Sequence, residues 1–590
     1  MKTLDRMQRF IAALTIVFSA YIGLVVATRI SSIDFTQRDL TLLMSALTKP
    51  LDLPPRVELT RFTAGGALLG AVLCALCWLY YISQSGKYRD GKEYGSARWA
   101  TQRDIAPFMD SEPRLNLAMT TSEGLSLDGA ATRRNLNTLV IGGSGAGKSS
   151  GYVIPNLKNA AVNYAVTDPK GELYETTAPL LEDAGYDVRH LDFINLDASY
   201  AQFNPLKYID PMKSDIAIMK LVNNIMENTG KKEMSGGDQF WDDSMKSLLT
   251  CLITWVYHNE DADTRNLVSV VNLFDALDAS EEDENALSSM DAYMQAAEDI
   301  VADYKQHPEQ WDHSDETQRY IAGLQFSISQ YTPFRKASAV TKKSIIASIG
   351  TRLAALRVPA VQELLSADTI GIDRICSGGD ARKVAIFVTL PDEDTTFNFL
   401  VAIFYQCLFD SLISRTRSMS GQSLPVPLHC FLDEFANIGK IPNFETLVST
   451  IRSRNISVSI ILQNIAQLKA MYKTGWETIA GNCDSILFLG SNEETTTKWI
   501  SGMLGKETID TKTRSMSRGR NGSTSTNYQR TGRELMTPDE IAHMDNRRCI
   551  YLLRGVHPFY SLKIQPGQKA TARVKSRLTH SQHWVNPLDS

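Results

Sequence analysis

"LVIGGSGAGKSSGYV", residues Leu139 to Val153, decides how the rest of the chain is read. The apolar run Leu136 to Ile141 predicts a strand, and a helix is expected to start near Gly147. Between them, Gly142 to Ser149 read G-G-S-G-A-G-K-S and fit GxxxxGK[ST] at every fixed position. Glycines there let backbone N–H groups turn toward phosphate oxygens, and the positive end of the following helix adds attraction. Lys148 is placed to bridge the β- and γ-phosphates and Ser149 to ligate Mg²⁺. Gly142, Gly143, Ser144, Gly145, Ala146, Gly147 and Ser150 complete the cradle, so ATP and Mg²⁺ are the expected cofactors.

Outward from the loop, short apolar runs alternate with amphipathic helical patterns, which predicts an α/β chain with a parallel sheet. The runs are Tyr164 to Thr167, "YDVRHLDF", "KVAIFVTL" (383–390), "LHCFLDEF" (428–435), "ISVSIILQ" (456–463), "DSILFLG" (484–490) and "RCIYLLRG" (548–555). Two later helices are expected to start at capping boxes, Ser491 with Glu494 and Thr537 with Glu540. Residues 223–375 show only helical spacing and are expected to form an all-α insertion. Lys506 to Arg533 is rich in Ser, Thr, Gly and Arg without apolar periodicity, and predicts a loop or hairpin tip.

Hydrolysing a triphosphate takes a second, acidic element at the end of a neighbouring strand. "LHCFLDEF" supplies Asp433, to hold the water shell of the magnesium, and Glu434, to polarise the attacking water. Two solvated acids opening a helix are the plainer alternative. Gln463 ends the next strand, where an amide can sense the γ-phosphate. Arg452 and Arg454 lie just before that strand, where ring ATPases supply an arginine to a neighbour's site; two solvent-facing arginines fit the pattern equally. Asp168, Lys170 and Glu172 either touch the nucleotide or start a helix. His580 and His583 have no third ligand, and no GxSxG or zinc spacing occurs in the part that follows the apolar segments.

The chain has 590 residues, a net charge of −5, and 43% hydrophobic and 22% charged content. From Glu260 to Glu316 there are 17 acidic residues against Arg265 and Lys305, leaving the remainder net positive by 10. Phe10 to Thr28 and Phe62 to Ile82 are charge-free and approach the ~20 residues a bilayer crossing takes. A cleaved secretory signal would strand the phosphate loop outside the cell, away from triphosphate, so a hairpin with both ends in the cytoplasm is expected. That divides the chain into a cytoplasmic 1–9, spans at 10–28 and 62–82, and an extracytoplasmic 29–61. A nucleotide domain follows, formed by 83–222 and 376–590 with a basic tail (Lys563, Lys569, Arg573, Lys575, Arg577), and 223–375 is inserted within it. The flanks Lys2, Arg6, Arg9, Lys87, Arg89 and Lys92 favour this orientation, and Arg29, Arg38, Lys49, Arg56 and Arg61 in the loop oppose it. Gly65, Gly66 and Gly70 suit either close helix packing or the ordinary glycine content of such helices. Cys74 and Cys77 lie in an apolar run and read as packing residues, and the eight cysteines as reduced thiols.

"YGSARWA" (94–100), "GGSGAGKS" (142–149), "TDPKGELY" (167–174), "FNPL" (203–206), "DQFWDDS" (238–244), "FLDEFANIGKIPNFE" (431–445), "SIILQNIAQL" (459–468) and "GRELMTPDEI" (532–541) occur in this order. The series resembles the type IV coupling proteins of conjugation machines, the TraG/TraD type, over about residues 94–555. The resemblance implies a RecA-like P-loop domain with an all-α insertion behind a two-helix transmembrane hairpin, anchored in the inner membrane and assembled as a homohexamer. It implies a DNA-translocating ATPase that brings relaxase-bound single-stranded DNA to a type IV secretion channel. By position it also implies Gln463 as the sensor glutamine and Arg452 as the arginine acting in trans. A cargo receptor, or a motor for protein effectors, shares these motifs. The acidic insertion departs from a DNA-gripping surface and favours a basic partner such as a relaxase or accessory relaxosome protein. If DNA threads the ring, Lys512, Arg514, Arg518, Arg520, Arg530 and Arg533 are the expected phosphate contacts, with a solvated surface loop as the alternative.

Overall fold

The computed structural model describes residues 6–33, 57–84, 91–196, 199, 201–230, 239–277, 288–376, 382–391, 393–516 and 524–567, with Thr41, Met44 and Thr48. It divides into two units, residues 97–507 with 533–590 and residues 1–96 with 508–532.

The larger unit is built on nine strands: β1 (Thr138–Gly142), β2 (Asn163–Asp168), β3 (Asp187–Asp192), β4 (Val384–Thr389), β5 (Leu428–Leu432), β6 (Ile456–Leu462), β7 (Ser485–Gly490), β8 (Arg548–Leu553) and β9 (Phe559–Leu562). Their order in space is β9-β8-β7-β1-β6-β5-β2-β4-β3. All pairings from β7 to β3 are parallel, and β8 runs antiparallel to both β7 and β9. The central strands are rich in Val, Ile, Leu and Phe on both faces because helices cover both, as a parallel sheet demands. Alternate residues supply the two cores. Leu139 and Ile141 face one layer with Ile386, Leu432 and Ile460, while Val140 faces the other with Phe387, Phe431 and Ile461.

The Asn398–Thr416 helix is apolar enough by length and composition to cross a membrane, yet 67% of that stretch is buried, with Phe399, Leu400, Ile403, Phe404 and Leu408 under the sheet. It is a core helix. Between β3 and β4 the described residues form helices and turns, including Ser214–Thr229, Gln239–Asn259, Leu267–Asp275, Ser289–Gln306, Asp315–Arg335, Ala339–Arg352 and Pro359–Ser366. Asn266, Ser288, Ser314 and Ser338 cap four of them through side-chain oxygens. Residues 278–287 of the acidic stretch lie outside the described residues.

Several local expectations are corrected. The Glu494–Leu504 helix is capped by Glu493, whose carboxylate accepts from the N–H groups of Thr495 and Thr496; Ser491 only accepts from Glu493 N–H. The box of Thr537 with Glu540 does form. Behind the phosphate loop the first turn is a π-turn, Ser149–Val153, before α-helix Ile154–Leu157. Asn116–Ala118 pairs with Gly124–Ser126, a hairpin too short to show alternation in the sequence.

In the smaller unit, helices Arg6–Ser31 and Arg61–Gln84 pack closely through glycine. A Cβ on Gly66 would sit 2.3 Å from Ala27 Cβ, and one on Gly70 2.3 Å from the Ser19 carbonyl, whereas one on Gly65 would meet open space. Gly66 and Gly70 therefore make the close approach and Gly65 does not. Trp78 Nε1 donates to Thr15 Oγ1 at 2.9 Å across the pair. The stretch expected as a loop or hairpin tip, Lys506 to Arg533, contains two paired eleven-residue strands, Lys506–Met516 and Thr524–Glu534, a ribbon rather than a plain loop. Their connection is too short for a parallel crossover, so the strands run antiparallel. On the part of the ribbon in this unit, Arg530 pairs with Glu93 (2.6 Å) and Asp510 (3.1 Å), Lys512 Nζ lies 5.4 Å from the Tyr528 ring centroid, and Arg514 is exposed. Arg518 and Arg520, the flanks Lys2, Lys87 and Arg89, the loop residues Arg38, Lys49 and Arg56, and the tail from Lys569 lie outside the described residues, as do the side chains of Arg6 and Arg9.

Candidate active site

Three neighbouring strands, β1, β6 and β5, end at one place because they are parallel and adjacent. Each delivers polar residues directly after its apolar run. From β1 the chain enters the phosphate loop, where Gly145 and Gly147 take φ of +72° and +89°, a region that side-chain-bearing residues avoid. Gly143 N–H donates to the Gly490 carbonyl at the end of β7 at 2.8 Å, which ties the loop to the strand on its other side. Ser144 and Gly145 are exposed at the tip, while Ala146 and Lys148 are buried; Ser150 lies half-buried in the turn behind them.

Lys148 Nζ donates to the carbonyls of Gly142 (3.1 Å) and Gly143 (3.4 Å) and lies 3.4 Å from Glu434 Oε1. Ser149 Oγ donates to Asp433 Oδ2 at 2.8 Å. Gln463, immediately past β6, donates from Nε2 to both Glu434 oxygens, at 3.4 and 3.2 Å. Asp433 is buried; burial pushes its carboxyl up to about 6, the Ser149 hydrogen bond opposes this, and the nearby Glu434 charge adds to it. Glu434 itself takes φ +46°, ψ +52°, a left-handed conformation that costs a glutamate about 1 kcal/mol or more and places its carboxylate between Lys148 and Gln463.

These donors fit the expected metal. A hydroxyl beside a buried carboxylate is an all-oxygen set, the chemistry a hard divalent cation takes up, and a carboxylate driven toward its neutral form by burial gains most from a nearby cation.

The structure separates the two candidate arginines. Both lie on the 3₁₀ turn Ile451–Arg454 before β6. Arg454 donates to the carbonyl of Gln422 at 2.8 Å and is held by its own chain. Arg452 is exposed. Asp168 is buried at the end of β2, and its carboxylate accepts from the N–H of Tyr174, so it anchors the start of the Glu172–Asp183 helix.

Two features escape sequence reasoning. A buried polar chain runs under the site, from Tyr152 through Ser459 to His429 and Ser457, with links of 2.7, 2.8 and 2.7 Å. It joins the turn behind the phosphate loop to β6 and β5. Burial holds the His429 imidazole down to about 3, so it is neutral. Lys563, grouped with the basic tail by sequence, is instead buried against the phosphate loop.

A phosphate loop after an interior strand of a parallel sheet, with a glutamine and an acidic pair closing the next two strands in space, defines a RecA-like P-loop fold. The chain belongs to the family described as type IV secretory system conjugative DNA transfer, whose model matches residues 98–572. It is a type IV secretion coupling protein by that membership. Protein VirD4 of Rhizobium radiobacter is 23% identical over 508 residues, covering 84% of this chain and 66% of that relative, so the chain spans just under two thirds of its length. A conjugal transfer protein TraG of Escherichia coli is 23% identical over 503 residues, covering 78% and 74%. Among solved structures, the conjugative coupling protein TrwB with sulphate aligns at a TM-score of 0.52 and 14% identity over 82% of this chain and 98% of that one. TrwB with ADP and Mg²⁺ aligns at 0.51 and 14% over 81% and 99%. The likeness establishes the shared fold.

Proposed function

We propose that this chain is a membrane-anchored ATPase that drives single-stranded DNA toward a type IV secretion channel during conjugation. The observation that carries it is the convergence of Lys148, Ser149, Asp433, Glu434 and Gln463 where β1, β6 and β5 end. A receptor that only docks cargo has no use for a carboxylate held in a strained backbone beside the phosphate-loop lysine.

Loop N–H groups and Lys148 bind the β- and γ-phosphates and neutralise their charge. Ser149 and Asp433 would hold Mg²⁺, which when bound offsets phosphate charge. Glu434 accepts a hydrogen bond from the attacking water and polarises it along the line of attack. Gln463, hydrogen-bonded to Glu434, registers whether the γ-phosphate is present and passes that state to β6. Arg452, exposed at the mouth of β6, completes the site of the next subunit in a homohexameric ring.

The two apolar helices anchor the ring, with both ends in the cytoplasm. The helical residues 223–375 form a domain whose acidic stretch docks a basic relaxase or relaxosome protein. Lys512 and Arg514 on the ribbon contact the DNA backbone and Tyr528 stacks on a base. Arg530 is engaged with Glu93 and Asp510 and holds the ribbon's base. The test is ATP turnover by detergent-purified full chain with and without single-stranded DNA. Turnover stimulated by DNA and lost in Glu434→Gln supports the motor; no turnover under either condition overturns it.

A further inference from the structure

The ninth strand sits at the sheet edge, far from the nucleotide by chain order, yet the residue after it reaches the phosphate loop. Lys563 is 6% exposed. Its ammonium donates to the Ala146 carbonyl at 3.0 Å and to Asn546 Oδ1 at 3.2 Å. Its own N–H donates to the Arg547 carbonyl at 2.9 Å, and the preceding Leu562 carbonyl accepts from Thr121 N–H at 3.1 Å. Just beyond it, the Ile564 carbonyl lies where a Cβ on Gly151 would approach to 2.9 Å, so the segment is pressed against the turn that follows the loop. The backbone of residues 562–564 is thus held in place, and the ammonium reaches the Ala146 peptide carbonyl and the Asn546 side chain.

That peptide matters. In a trans peptide the carbonyl and the next residue's N–H point in opposite directions. Holding the Ala146 carbonyl toward Lys563 turns the Gly147 N–H the other way. Gly147 sits at the sixth position of the loop motif, where backbone N–H groups face the phosphates. A cation on the carbonyl oxygen also polarises the amide and makes its N–H a stronger donor. A buried ammonium is costly to keep unless it is satisfied, and here one of its two acceptors is the loop carbonyl.

We infer that Lys563 is a positioning residue for nucleotide binding: from the strand edge it fixes and polarises the Ala146–Gly147 peptide that cradles the phosphates. This rests on the ATPase reading, and it adds a residue that lies outside the loop, the acidic pair and the sensor.

The test compares the full chain with Lys563→Met, which keeps length and apolar stem, and Lys563→Arg, which keeps the charge. Fluorescent ADP with Mg²⁺ is titrated, melting is followed with and without that nucleotide, and ATP turnover is measured. Lys563→Met is expected to weaken ADP about tenfold and raise KM similarly, with kcat changed under threefold. Its melting temperature without nucleotide should match or exceed the parent's, while its gain on adding ADP shrinks. Lys563→Arg should recover at least half of the lost affinity in logarithmic terms. Affinity within twofold of the parent, or a loss tracking lowered melting without nucleotide, overturns the assignment and leaves the ATPase reading standing. A parent chain that binds no ADP overturns both.

Discussion

The nucleotide site and the ribbon hold charge in opposite ways. In the site, Lys148, Ser149, Asp433, Glu434 and Gln463 are all wholly or partly buried, joined to one another, and fixed by the ends of three parallel strands. On the ribbon, Lys512 and Arg514 stand on a two-stranded sheet in solvent, and Tyr528 is 70% exposed. Buried, preorganised charge does chemistry because it has no reorganisation left to undergo. Exposed charge on a narrow sheet attracts a polyanion of any sequence and releases it as salt rises.

That contrast can be broken where the expected effect is greatest. Glu434→Gln should lower ATP turnover about 10⁴-fold while ADP affinity stays within a few-fold, read by steady-state hydrolysis and titration. Next, Arg452→Ala should lower it about 10³-fold and Arg454→Ala about twofold or less, because only Arg454 is tied to its own chain. Mixing Arg452→Ala with Lys148→Ala subunits should restore part of the turnover; no restoration would place Arg452 outside a neighbour's site. On the ribbon, Tyr528→Ala should weaken single-strand binding about tenfold at fixed salt, with turnover without DNA unchanged. Replacing Lys512 and Arg514 together should flatten the salt slope of that binding by about 1.4, at about 0.7 per lost phosphate contact. An unchanged slope would make the ribbon a solvated surface.

The smallest effect concerns acid. His429 is held neutral in the fold, its pKa lowered to about 3 by burial, while an unfolded histidine titrates near 6.5. Between those values the unfolded chain holds a proton that the folded one lacks, so stability falls as pH drops below about 6.5. His429→Gln should reduce proton uptake on unfolding at pH 5 by about one, measured from the pH dependence of the melting free energy.

How much of this is legible in the sequence varies with range. Strands β1, β2 and β4 to β7 announce themselves because buried parallel strands are largely apolar runs, and the runs of β1, β5 and β6 lead straight into the residues that matter: Gly142, Asp433 and Gln463. The ribbon reads only as a loop or hairpin tip, with its strands unmarked, because they carry Thr, Ser, Lys and Arg and bury little. Glu493 displaces Ser491 as a cap since a carboxylate two residues later reaches two N–H groups at once. Lys563 and the chain Tyr152–Ser459–His429 are invisible along the sequence, for their partners lie hundreds of residues away.

The pairing order carries a consequence for synthesis. None of β1, β2 and β3 pairs with another of the three: β1 lies between β6 and β7, β2 between β4 and β5, and β3 beside β4. The residues from Gly142 to Ile456 must emerge before β1 gains its first neighbour. At about 5–20 residues per second that interval is roughly 15–60 s. For that time β1 has both edges open, and β2 and β3 keep theirs open until β4 emerges with Val384–Thr389, after the helical segment has been made; open edges invite pairing with the wrong chain. Nascent copies emerging side by side therefore run a hazard of tangling, and slowing translation across residues 143–455 should lengthen it.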